Sequence, residues 1–201
     1  MGAILHLAHP LQAYNSLFNL QYAWLSREIL MAVCYGAIVA TAFLSGGNRV
    51  TAILASGAGL LLVVVQGMTY AATAMVAVAG GITLMMFLLA TMVAGYAATP
   101  LVNGGGALPG LKTGLIAFMV IQLAAPLSWL NGGVVMRQTG IAWLSSPLYV
   151  VSLLCLSVAV LAGRNLSNKW LFCLILTGLL FSRLVFFGET ISLADNIGEL
   201  Y

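Results

Sequence analysis

The chain has 201 residues, of which 62% are hydrophobic and only 5% charged, with a formal net charge of +3. An ordinary soluble domain carries about 25% charged residues, so this chain cannot cover a water-facing surface and reads as an integral membrane protein of the all-α class. Its seven Lys and Arg residues are scattered, with no basic run that could follow a phosphate backbone, so nucleic-acid binding has no support.

Met1 to Leu5 lack both a basic region and an apolar stretch long enough for a signal peptide. His6 to Ile29, HLAHPLQAYNSLFNLQYAWLSREI, then holds both histidines and one of the four acidic residues of the chain. Polar groups directly ahead of a long hydrophobic helix sit at the rim of a membrane, where an amphiphilic ligand can meet them. The composition predicts a polytopic transmembrane helix bundle of about six spans, since about 20 apolar residues cross the hydrocarbon core. Residues 1–27 are expected to form an interfacial segment, 28–193 the bundle, and 194–201 a short acidic tail with Asp195 and Glu199.

The first helix is expected from Glu28 to Leu44, with Ser26 as its cap and Glu28 in the first turn, where the helix dipole favours a carboxylate. Ser45-Gly46-Gly47-Asn48 is a turn of breakers. A second helix follows from Val50 to about Ala71, and a third from about Val78 to Ala98, with neither charge nor Pro to mark the join between them. After the Gly- and Pro-rich loop Thr99 to Gly110, a fourth helix runs from Lys112 to Leu130, with a kink predicted at Pro126. The fifth starts at Ser146-Pro147, a cap followed by Pro in the first turn, and ends at Gly163. The sixth runs from Lys169 to about Leu193. Ala55 with Gly59, and Thr91 with Gly95, are small residues at the spacing that lets helices approach closely. Trp24, Trp129 and Trp143 are read as interface anchors.

Chemistry is confined to a few residues. Arg183 lies 14 residues after Lys169, about 20 Å along the last helix. A charge at that depth is costly and marks a polar site, or pairs with Glu189 as packing glue. Glu28, Gln66, Tyr70 and Glu189 fall at the same end of their helices, so rare polar groups from several segments share one depth. The three cysteines, Cys34, Cys155 and Cys173, form no C-x-x-C pair, and the expected spans hold no histidine, so neither a metal nor a haem of the chain's own is expected.

His6, Leu7, Pro10, Ala13, Asn15, Ser16 and Leu17, followed by Leu25, Ser26, Glu28 and Ile29, carry a resemblance. The stretch is similar to the histidine loop in the membrane anchor subunit of the dimethyl sulfoxide reductase family, which reads close to H-L-G-S-P-x-R-A-F-N-S-L followed by L-S-N-E-I. His9 departs from that pattern by replacing a small residue, and Gln12 by replacing a basic one. Arg183, Phe186 and Phe187 match an Arg and an aromatic pair of the family's last helix. Two further helices precede the loop in that family, so the chain reads as short at its start, with Gly2 to Leu5 corresponding to the last turn of the second.

The resemblance implies an anchor for a periplasm-facing molybdoenzyme of anaerobic respiration, in the bacterial inner membrane. Its expected partners are a molybdopterin catalytic subunit and an iron–sulfur subunit, to which this chain passes electrons from menaquinol. Oxidising a quinol removes two electrons and two protons, which calls for hydrogen-bond partners at both ring oxygens and a base near neutral pH. His6 and Glu28 are the expected catalytic pair, with Glu28 or Glu189 relaying the proton. His6, Asn15, Glu28, Arg183 and Glu189 are the expected quinol-binding residues. Two other classes stay open. A purely structural anchor fits all but the polar cluster, and a small transporter would need ionisable residues along a central path.

Orientation follows from loop charge. Arg49, Lys112, Arg164 and Lys169 fall on one side of a six-span chain, and Arg27 and Arg137 on the other with both termini. The positive-inside rule places the former side in the cytoplasm and both termini in the periplasm. Alkaline phosphatase fused after Leu200 is therefore expected to be active and fused after Asn48 inactive, and the reverse pattern would overturn this orientation.

Overall fold

The computed structural model describes residue 20 and residues 24–71, 76–105, 109–163 and 165–191. Among the described residues the chain is seven α-helices with no strand. In chain order they are α1 (Trp24–Leu44), α2 (Arg49–Ala71), α3 (Gly81–Asn103), α4 (Leu111–Trp129), α5 (Val134–Ser145), α6 (Pro147–Ala162) and α7 (Asn168–Gly188). α1, α2, α3, α4 and α7 are long and apolar enough to cross a membrane. α5 and α6 are bent by 61° at Ser146 and pass the same test only together, which gives five crossings, or six where this bent pair counts as one broken span. The histidine loop and the acidic tail lie outside the described residues.

The helices form two compact units, Met1–Tyr70 and Ala71–Tyr201. In the first, α1 ends in a Schellman motif: the Gly47 N–H bonds Ala42 O at 2.8 Å and the Gly46 N–H bonds Phe43 O at 3.3 Å. Gly46 and Gly47 have φ of 74° and 67°, a left-handed conformation that glycine adopts without a Cβ penalty. Asn48 then caps α2. Its Oδ1 accepts the Thr51 N–H at 2.9 Å while Thr51 Oγ1 accepts the Asn48 N–H at 3.0 Å, a reciprocal capping box. The turn residues read from sequence therefore join α1 to α2 by a tight turn, and the two helices touch through side chains, with the ring of Tyr35 against Gly59.

In the second unit each helix buries one stripe. α3 buries Met86, Phe87, Ala90, Val93 and Ala97; α4 buries Leu115, Phe118, Gln122, Ala125 and Trp129; α7 buries Leu171, Ile175, Gly178, Ser182 and Val185. The spacing of three and four residues is that of interlocking helices. Lipid tails are as apolar as leucine, so close packing and polar contacts hold such helices together rather than hydrophobic burial. The closest approaches occur at glycines. A Cβ at Gly178 would lie 2.9 Å from Leu156 of α6, one at Gly140 of α5 would lie 2.8 Å from Pro126 O of α4, and one at Gly114 of α4 would lie 3.2 Å from Val93 of α3. Asn168 Nδ2 donates to Gly105 O at 2.9 Å, tying the α6–α7 turn to the end of α3.

Several sequence expectations change. α1 starts at Trp24, so Ser26 is a buried residue inside the helix rather than its cap, and Glu28 lies beyond the first turn, where the dipole effect has faded. α3 continues past Thr99 through Pro100 to Asn103 and ends where Gly104, in a left-handed conformation with φ of 67°, donates its N–H to Pro100 O. α7 ends at Gly188, which makes Glu189 its C-cap. α5 was not anticipated: its 12 residues are too few to register as a span. Gly95 and Thr91 mediate no close approach, since a Cβ at Gly95 would meet nothing within 4 Å. Trp129 and Trp143 are 1% exposed and pack edge to face, 5.0 Å apart, so they belong to the core and not to the membrane interface. Trp170, 71% exposed beside Lys169, occupies the anchor position instead.

One polar chain crosses the middle of this unit. Pro126 has no N–H, so the carbonyl of Gln122, four residues earlier, loses its helix donor. The Tyr149 hydroxyl of α6 donates to that carbonyl at 2.9 Å. Beside it Gln122 Nε2 donates to Ser152 Oγ at 3.1 Å, and Ser152 Oγ donates to Gly178 O at 2.8 Å, linking α4, α6 and α7. Tyr149→Phe should therefore destabilise the folded protein in detergent by about 1–2 kcal/mol. In a Pro126→Ala background the new N–H can serve the carbonyl, and the same change should cost less. Equal losses in the two backgrounds would show that the tyrosine does not serve this carbonyl.

Candidate functional site

Among the described residues, the first unit brings together one carboxyl and a set of neutral polar groups. Glu28 of α1 faces the last turns of α2, where Gln66 and Thr69 fall on one side of the helix at a spacing of three. Both side chains hydrogen-bond with the Glu28 carboxyl group. Thr69 Oγ1 also lies 2.9 Å from Val65 O, so its one proton is shared between that carbonyl and the Glu28 carboxyl, and the amide of Gln66 is the second donor. Glu28 Oε2 is buried without a hydrogen-bond partner. The preceding residue, Arg27, turns away and donates from Nε to Leu20 O at 2.8 Å. The carboxyl is therefore half satisfied: one side is oriented by α2, and the other offers an acceptor.

Sequence depth alone had grouped Glu28, Gln66 and Tyr70. The structure brings Gln66 to Glu28 and adds Thr69, whose only signal was its position three residues after Gln66. His6 and Asn15 lie outside the described residues. Arg183 and Glu189 belong to the second unit.

In that unit Arg183 lies flat on an aromatic ring. Its Cζ is 3.6 Å from the centroid of Phe87 on α3, a cation–π contact that strengthens where water is excluded. Phe87 in turn packs on Phe186 at 5.4 Å, and Phe186 contacts Trp143 at 6.2 Å and Phe187 at 5.2 Å. The aromatic pair noticed in the sequence thus flanks the arginine, but the ring that seats it comes from a helix about 100 residues earlier. Glu189 follows Arg183 by six residues, roughly 120° round a helix of 3.6 residues per turn, so the two point in different directions. The segment after α7 is fixed to α5: Trp143 Nε1 donates to Thr190 Oγ1 at 3.2 Å and Ile191 N to Thr139 Oγ1 at 3.3 Å.

Between α3 and α7 runs a groove of about 620 Å³, with Thr91, Ala94 and Gly95 on one wall, Leu176 and Leu180 on the other, and Arg183 as its one charged residue. The described residues hold no cluster of three or more His, Cys, Asp or Glu, and Cys34, Cys155 and Cys173 are unpaired thiols.

Comparison with known families gives a match to the DMSO reductase anchor subunit (DmsC) over residues 1–169. Neither the curated proteins nor the solved structures gave a match. The matched region takes in the histidine loop, Glu28 and helices α1 to α6, and it stops at the second residue of α7. Arg183, Phe186, Phe187 and Glu189 lie beyond it and rest on geometry alone. With most of its length matched and its helices long and apolar enough for several crossings, this multi-pass membrane protein belongs to the DMSO reductase anchor subunit (DmsC) family.

Proposed function

We propose that the chain is the quinol-oxidising anchor of a DMSO reductase-type complex in the bacterial inner membrane, with both termini in the periplasm. As an anchor subunit it holds the catalytic and electron-transfer subunits of the reductase at the membrane. In this reading the electron-transfer partner is an iron–sulfur subunit, the catalytic partner carries molybdopterin, and the donor is menaquinol. The observation that supports it best is the Glu28 carboxyl, oriented by Gln66 and Thr69 and keeping a buried oxygen without a partner. Such an oxygen accepts a hydrogen bond from a ligand hydroxyl, and a quinol presents two.

The chemistry then divides among the chain's own residues. Quinol becomes quinone by losing two protons and two electrons. His6, with an imidazole whose ordinary pKa is about 6.5, takes one hydroxyl proton near neutral pH. Glu28 accepts the hydrogen bond of the other hydroxyl through Oε2 and passes its proton outward. Asn15, in the loop that carries His6, binds a ring oxygen. The electrons leave to the clusters of the iron–sulfur subunit, which supply the one-electron steps.

A positioned general base contributes about 10²- to 10⁴-fold in rate. His6→Ala should slow quinol-dependent turnover of the complex by that order while leaving activity with a soluble reduced dye intact, because the dye feeds the partner subunits directly. Glu28→Gln keeps the contact with Gln66 but loses the proton acceptor, and should give a milder form of the same defect. His9→Ala should have no effect. Wild-type quinol activity in His6→Ala would end the quinol-site assignment, and equal loss of both activities would indicate a role in assembly.

A further inference from the structure

We infer that Thr69 is a positioning residue for Glu28: its hydroxyl proton turns over when the carboxyl takes a proton, so that the oriented side of the carboxyl stays paired in both protonation states. This rests on the quinol reading above and adds to it how the acceptor holds the proton it receives.

The geometry gives this hydroxyl two partners. Thr69 is 8% exposed, its Oγ1 lies 2.9 Å from Val65 O of its own helix, and it hydrogen-bonds with the Glu28 carboxyl of α1. A threonine hydroxyl has one proton and two lone pairs, and the proton rotates about the Cβ–O bond to suit its neighbours. Beside a carboxylate it donates to Glu28. Once Glu28 is protonated, the carboxyl O–H donates to Oγ1, and the threonine proton returns to Val65 O. Gln66 can serve the protonated state only by flipping its whole amide, because its nitrogen is a donor alone. The hydroxyl does the same by moving one hydrogen.

The surroundings make such a partner necessary. A carboxyl on a membrane-spanning helix depends on the protein for its hydrogen bonds. The cations of the two helices are engaged or distant: Arg27 donates from Nε to Leu20 O at 2.8 Å, and Arg49 stands 17 residues before Gln66 on α2, about 25 Å along the helix. The groups of α2 that meet the acid are thus a neutral amide and a neutral hydroxyl.

The proton step then balances within the unit. The O–H bond of one quinol hydroxyl breaks, its proton bonds to Glu28 Oε2, which has no other partner, and the electrons leave to the iron–sulfur subunit. Rotation of the carboxyl about its Cγ–Cδ bond carries the new O–H round to Thr69 Oγ1 and turns the other oxygen to the ligand side.

Infrared spectra of the intact reductase complex test the switch without any quinol. The acid-minus-neutral difference spectrum should carry a protonated-carboxyl C=O band that disappears in Glu28→Gln. Thr69→Val keeps the shape and removes the hydroxyl, and should move that band to higher wavenumber, as for an acid that donates no hydrogen bond. Thr69→Ser should leave it in place. In turnover, Thr69→Val should lower kcat with menaquinol about tenfold, the effect of one lost hydrogen bond, with KM unchanged and dye activity intact. Thr69→Ser should restore it. A Glu28 band that does not move in Thr69→Val would overturn the proposal, as would the absence of any Glu28 band across the pH range. A raised KM with unchanged kcat would place the hydroxyl on the ligand, and equal loss of quinol and dye activity would assign it to packing; either result overturns the switch. A band that moves as expected, in a complex that turns over with dye but not with quinol, would leave the switch standing and end the quinol reading.

Discussion

Hydrocarbon offers no hydrogen bonds, and every polar group placed in it must find a partner inside the protein. That constraint explains the middle of the second unit. Pro126 releases a carbonyl in the body of α4, and Tyr149 of α6 supplies the missing donor. The same tyrosine is 3% exposed and sits against Trp143, which packs on Trp129. The broken span is thereby held at both halves: α6 through Tyr149 and Ser152, and α5 through the close approach of Gly140 to Pro126. A proline that would be a defect in an isolated helix becomes a docking point for its neighbour.

The constraint also accounts for how hydroxyls survive in lipid-facing helices. Thr41, Thr91, Thr99 and Thr139 each return their proton to the carbonyl four residues back, at 2.8 to 3.0 Å. A hydroxyl satisfied within its own helix is almost as neutral toward lipid as a methyl group. This is why threonine is a poor guide to function in such a chain, and why carboxyl and guanidinium groups, which have no such internal solution, are better guides.

Much of the bundle was legible in the sequence because the hydrocarbon core imposes a length. Runs of about 20 apolar residues announce themselves, and the Ser45-Gly46-Gly47-Asn48 turn folds as its residues suggest. α5 was not legible, since 12 residues with Arg137 and Gln138 among them look like a loop. The glycine contacts were not legible either. Of 22 glycines, those that admit a neighbouring helix differ from the rest only in what faces them across the bundle. Gly178 meets Leu156, whereas Gly95 faces the groove. Trp129 and Trp143 were misjudged because their position near helix ends resembled an aromatic belt, whereas Trp143 of α5 packs on Trp129 of α4 and Phe186 of α7. The same holds for the polar groups. Sequence placed Glu28 and Gln66 at one depth, but only the α1–α2 hairpin makes them partners, and only the fold seats Arg183 on Phe87.

Three buried polar atoms lack a hydrogen-bond partner among the described residues: Glu28 Oε2, Gln122 Oε1 and Ser146 Oγ. An orphan of this kind costs roughly 1–3 kcal/mol, and its meaning depends on whether a ligand can reach it. Gln122 is 0% exposed and Ser146 4% exposed. The other groups of Gln122 already hold α4 to α6, so its free oxygen is the remainder of a structural contact. Glu28 is only partly covered. A carboxyl that served structure alone would gain by turning both oxygens to donors, and a glutamine there would form the same contacts without a charge to desolvate. One oxygen is oriented by α2 and the other is buried without a donor, an arrangement that is costly for packing and that a ligand hydroxyl would relieve. That asymmetry lies within the part of the chain that matches the anchor family, and it is the observation on which the proposed quinol site rests.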